Sequence, residues 1–87
     1  MGMDTVELIF AVEEHFNVQI PNLDAEKLFT VGKLHAWVVG ELTRLGRTPV
    51  DADLVYYELR DLIVEQTGAD PRQVVPDASF VDDLRMD

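Results

Sequence analysis

Cysteine is absent from this chain of 87 residues, so no disulfide braces the core and no thiolate can bind metal or attack a substrate. Serine occurs once, as Ser79, in a neighbourhood with no arrangement that would make it a nucleophile. The two histidines, His15 and His35, lack a metal-ligand spacing and read as a surface and a partly packed side chain. No glycine-rich phosphate loop is present. Seven lysines and arginines face 17 acids, and the resulting net charge of −10 argues against a nucleic-acid backbone or an anionic membrane as partner. No apolar run approaches the ~20 residues of a membrane span. No basic-then-apolar signal segment opens the chain, and Val6 stands where a myristoylation start wants serine or threonine. These absences argue against an enzyme and against a metal site. They make a cytoplasmic location the expectation, and the charge makes a monomer the expected state.

What is present is apolar bulk in helical rhythm. Nearly half of the residues, 47%, are apolar. A chain this short makes one domain and buries only about 60% of its unfolded surface. The spacing predicts a helix over Asp4–Phe16, with Asp4 as cap, Glu7 at capping-box distance, and Leu8, Ile9, Val12 and Phe16 inward. After an extended connector through Val18–Pro21, anchored by Ile20, a short helix is expected over Asn22–Leu28, capped by Asn22 and packed by Leu23 and Leu28. Thr30 caps a helix over Val31–Leu45, with Val31, Leu34, Val38, Leu42 and Leu45 as its stripe and Gly46 beyond its end. Arg47–Asp51 is the one clear linker. Asp51 or Asp53 then caps a helix to about Thr67, with Val55, Leu59, Leu62 and Ile63 inward and Gly68 at its end. A long loop follows, with Val74 and Val75 tucked in, and then a turn capped by Ser79 that buries Phe80 and Leu84. The fold class is all-α: a small antiparallel bundle of three long helices and one short one.

The first helix carries acid on the side away from its apolar face, and Phe10 lies on that acidic side. Two readings fit this pattern. One is an ordinary amphipathic helix with a solvated acidic face. The other is a recognition surface for a basic partner.

Reading the tail ASFVDDLRMD into the head MDTVELIFAVEEHFNVQIPNLDAEKLFTV gives a stretch that resembles the acyl carrier protein family. Ala78–Leu84 is similar to the family's segment before its Asp-Ser-Leu motif, and Asp4–Leu8, Glu13-Glu14, Phe16 and Ile20-Pro21 are similar to its second helix and the loop beyond. Ala25-Glu26-Lys27 looks like its third helix and Thr30-Val31 like the start of its last. The order is altered, so the chain looks circularly permuted. Residues 1–46 match family helices two to four, 47–51 form a linker, and 52–87 match helix one and the loop after it. The linker spans roughly 16–18 Å at ~3.3–3.6 Å per residue.

The resemblance implies a bundle whose serine carries 4'-phosphopantetheine. Asp87 matches that motif's aspartate and Met3 its leucine, but Gly2 stands at the serine position and has no hydroxyl. Thr5, one turn into the helix, is a poor substitute. The expectation is therefore a chain without the cofactor. By position, Asp4, Val6, Glu7, Phe10, Glu13, Glu14 and Ile20 match the groups with which such carriers meet basic surfaces of acyl-processing enzymes. The leading reading is an unloaded docking module of fatty-acid, lipid or polyketide metabolism. The alternatives are a true carrier completed by further sequence, a helix-swapped dimer invited by the short linker, and a helical structural module unrelated to acyl transfer.

Overall fold

The computed structural model describes residues 3–80, 83 and 84, with the side chains of Met3 and Asp4 outside the description. Helix α1 is Met3–Phe16, α2 Asn22–Ala25, α3 Val31–Arg44 and α4 Ala52–Thr67, followed by a single 3-10 turn at Pro71–Gln73. Among the described residues there is no strand, only an isolated bridge between Thr30 and Ser79. The expected helical bundle is present, and α4 packs against both α1 and α3.

Both ends of α3 follow from local chemistry. The Thr30 hydroxyl accepts from the Lys33 amide at 3.2 Å and caps the first turn. At the far end Gly46 adopts φ +76°, its amide donates to Thr43 and the Arg47 amide donates to Leu42, both at 3.0 Å. This pair of bonds satisfies carbonyls that the helix leaves open, and it needs the left-handed residue that glycine supplies without strain. Val31, Leu34, Val38 and Leu42 are buried as expected. Leu45 is not: as the C-cap residue it leaves the helical line before it reaches the core, and it is exposed.

Of the two candidate caps for α4, Asp51 serves, accepting from the Leu54 amide at 3.1 Å. Val55, Leu59 and Ile63 are buried, Leu62 is half-buried, and Gly68 ends the helix at φ +72°. Burial of these side chains against α1 and α3 contributes about 1.5–3 kcal/mol each.

Three expectations near the first two helices need correction. The backbone of Asp4 is already helical, so Asp4 lies inside α1 and is not its cap; its side chain, and with it the expected capping box with Glu7, lies outside the described residues. Helix α2 is one turn, with Pro21 as its N-cap residue, and the Pro21 carbonyl accepts from Ala25 at 2.9 Å; Asn22 is already helical. One turn offers almost no face to bury, so Leu23 stays 73% exposed, while the Leu28 amide, bonded back to Ala25 at 3.1 Å, helps turn its side chain inward.

The tail closes onto α3. The Ala78 carbonyl accepts from Val31 at 3.1 Å and the Pro76 carbonyl from Gly32 at 2.8 Å, so two amides that a helix start leaves unpaired are bonded by the loop. Phe80 and Leu84 are buried as expected. The turn is held by Asp83, whose carboxylate accepts from the Ser79 amide at 2.7 Å. Val74 is buried but Val75 is exposed: the Val75 amide bonds back to the Gln73 carbonyl at 3.1 Å, a tight turn at Val74 that sends Val75 outward.

Candidate functional site

The candidate surface lies on α1. Three to four residues separate neighbours on one helix face, and Glu7, Phe10 and Glu14 meet that spacing. All three are exposed, and Phe10 is 62% exposed between the two acids. The opposite face holds Leu8, Ile9, Val12 and Phe16 in the core. Val6 and Glu13 are half-buried at the edge of the stripe. The fold therefore leaves a phenyl ring in water with carboxylates one turn before and one turn after it.

Glu13 has internal work. Its Oε2 accepts from the Ile20 amide at 2.7 Å, which bonds an amide of the loop that turns away from α1. Ile20 is only 5% exposed, so it serves the core and presents no surface to a partner. The positional match that placed Ile20 with the contact residues carries no information on burial. The end of α1 is fixed by Asn17 at φ +53° and by Arg47, whose guanidinium donates to the Phe16 carbonyl and, at 2.6 Å, to the Asn17 carbonyl. A cation suits the carbonyl end of a helix. Neither the Glu13 nor the Arg47 bond has a signature in sequence, since each joins groups across a loop.

Both histidines brace α4. His15 Nε2 lies 3.1 Å from Glu58 Oε1, joining α1 to α4, and His35 Nε2 lies 2.7 Å from the Ala52 carbonyl. The Glu41 carboxyl is held below its ordinary range by its bond to Arg44, and Asp70 by its bond to Arg72. These exposed pairs are local and lie away from the α1 stripe. Among the described residues, no group of three or more histidine, cysteine or acidic side chains could hold a metal ion. No described helix is long and apolar enough to cross a membrane.

Among the described residues, two hydroxyls lie near the head of α1 or in the loop before it in the proposed order, those of Thr5 and Ser79. Thr5 is buried, 9% exposed, and not free of partners. Ser79 is half-buried at the bridge with Thr30. Gly2 and Asp87, and with them the meeting of the two chain ends, lie outside the described residues.

Comparison with known proteins finds many relatives, two acyl carrier proteins among them. The chain is 47% identical to an acyl carrier protein of Wolinella succinogenes over 37 residues, 42% of this chain and 49% of that protein. It is 44% identical to an acyl carrier protein of Campylobacter curvus over 46 residues, 53% of this chain and 54% of that protein. The chain thus spans about half the length of the curated relatives it matches. No family model and no solved structure matches it. The chain is helical, and over the half that these relatives match it is similar to acyl carrier proteins.

Proposed function

We propose that the chain is an acyl-carrier-like docking module, circularly permuted, that meets basic surfaces of acyl-processing enzymes through the outer face of α1. Glu7 and Glu14 supply charge and Phe10 the apolar contact, with Val6 and Glu13 at the border and Asp4 at the head of the helix. The observation that carries this reading is Phe10, 62% exposed between two acids in helical register. A large apolar side chain adds nothing to solubility there. Carboxylates on both sides favour a basic partner and disfavour an acidic one.

On this reading the chain is not loaded with 4'-phosphopantetheine and acts as a regulator or decoy. Gly2 at the serine position and the burial of Thr5 support it. Domain order follows the same proposal: residues 1–46 stand for the family's second to fourth helices, 47–51 join the original ends, and 52–87 stand for the first helix and its loop.

Two measurements test the two halves of the proposal. The chain is incubated with coenzyme A and a broad-specificity phosphopantetheinyl transferase and weighed. No gain is expected for the chain as it is, and a gain of one arm is expected for Gly2→Ser. A gain without the substitution refutes the unloaded reading and favours a true carrier. Separately, binding to an acyl-carrier-dependent condensing enzyme is measured with Glu7→Lys/Glu14→Lys and with Phe10→Ala. At least a tenfold loss is expected for the charge reversal, and unchanged binding in both variants removes the α1 face as the docking surface.

A further inference from the structure

A second apolar and acidic face stands on α4, and nothing in the α1 reading uses it. Leu54 is 55% exposed and Tyr57 is 52% exposed, one turn apart on the same helix. The core face of α4 is Val55, Leu59 and Ile63. At 3.6 residues per turn, Tyr57 lies close to the opposite side of the helix. Its neighbours divide the flanks: Glu58 turns toward His15 of α1, while Tyr56 turns toward His35 of α3 and bonds the Val74 carbonyl at 2.7 Å. Leu54 and Tyr57 are therefore the large apolar residues of α4 that the bundle leaves uncovered, one turn apart on neighbouring positions of its outer face.

Single exposed apolar side chains need no explanation, but an adjoining pair within a charged rim is what a small contact patch looks like. The rim here is acidic. Asp51, Asp53 and Asp61 are exposed around the pair, and Glu58 lies at its α1 edge. Arg60 also lies here, with its guanidinium 5.1 Å from the Tyr57 ring centre. A guanidinium over a ring face is a favourable cation–π contact, and it leaves Tyr57 half in water.

We infer that the Leu54–Tyr57 face of α4 is a second docking surface, which takes a basic amphipathic segment of a partner protein: an apolar side chain seats on Tyr57 and Leu54, and flanking lysines or arginines meet Asp53, Glu58 and Asp61. The charge selects this occupant. A second copy of the chain would bring two acidic rims and two net charges of −10 together, which opposes self-pairing at this face. An anionic lipid surface is disfavoured for the same reason. The patch is small, so the contact is transient and its lifetime sensitive to salt.

The test uses the full chain carrying Phe10→Ser, so that loss of the α1 contact is already in the background. The 15N-labelled protein is titrated with an amphipathic peptide of leucine and lysine, and with a peptide of equal charge in which serine replaces leucine. Shifts centred on the amides of 53–61, and at least tenfold weaker binding after Leu54→Ser/Tyr57→Ser, support the surface. Both substituted side chains are exposed, so an unchanged circular dichroism spectrum is expected and confirms that folding is not the cause. Equal binding of the two peptides, shifts confined to α1, or no loss in the double variant overturns the proposal. Concentration-dependent shifts at 53–61 without peptide overturn it in favour of a second copy. The α1 docking reading is decided by Phe10 and its flanking acids and stands or falls apart from these outcomes.

Discussion

Arg47 donates from its guanidinium to the main-chain carbonyl of Phe16, and so joins the linker after α3 to the last turn of α1. A second bond reaches the Asn17 carbonyl at 2.6 Å. Two elements far apart in sequence are thereby held where the chain leaves α1 and where it leaves α3. Arg47→Ala should lower stability by about 1–2 kcal/mol, from two charge-assisted bonds and the favourable end of a helix dipole. Arg47→Lys should recover only part of it, because a single ammonium cannot reproduce the forked donor. Urea unfolding of the three proteins measures this, and equal midpoints would show that the bonds contribute nothing in water.

Two glycines of α3 should respond in opposite ways to alanine. A Cβ at Gly40 meets nothing within 4 Å, so Gly40→Ala should stabilise the helix by about 0.5–1 kcal/mol, through propensity alone. A Cβ at Gly32 would sit 2.9 Å from the Pro76 carbonyl oxygen, which also accepts the Gly32 amide bond. Gly32→Ala must push the tail loop away from the start of α3 and should destabilise. Thermal unfolding should show a rise for the first and a fall for the second, with roughly 4–8 °C per kcal/mol in a domain of this size.

Tyr56 gives the chain an alkaline limit. Burial raises its hydroxyl above the ordinary value of 10.0, with nearby Arg60 opposing. The neutral phenol is also the donor to the Val74 carbonyl at 2.7 Å. A raised value means that the folded chain holds this proton longer than the unfolded chain does. The contribution is therefore complete below about pH 10 and is lost as pH rises through the folded value. Tyr56→Phe should lower stability near neutral pH by about 1 kcal/mol, from the lost bond, and make the alkaline decline shallower. Denaturant midpoints between pH 8 and 11 for both proteins check this; parallel curves would mean that Tyr56 is not the group responsible.

Self-repulsion should be visible directly. With 17 acids against seven basic side chains, screening relieves more repulsion than it weakens attraction. The melting temperature should rise between low salt and half-molar sodium chloride, and rise further per ion with a divalent cation. A flat or falling melting temperature would show that ion pairs such as Glu41–Arg44 outweigh the net charge.

Features that depend on residues close in sequence were legible before any coordinates. The spacing of Val31, Leu34, Val38 and Leu42 is enough to define α3, because a helix repeats its face every three or four residues. Thr30, Gly46 and Gly68 mark helix ends through bonds or backbone angles that involve only near neighbours. Phe10 could be placed on the acidic side of α1 by counting residues.

Burial is a relation between segments, and there counting fails. Leu23, Leu45 and Val75 are as apolar as their buried neighbours, yet each falls where its element stops short of the core. Ile20 matched a contact position by alignment and lies inside, with its amide bonded to Glu13. The chain alone determined where the three long helices run, the ends marked by Thr30, Gly46 and Gly68, and the excess of negative charge. Only the folded arrangement decided which further apolar groups remain in water, Leu54 and Tyr57 on α4 among them, because exposure is set by what packs alongside a residue and not by the residue itself.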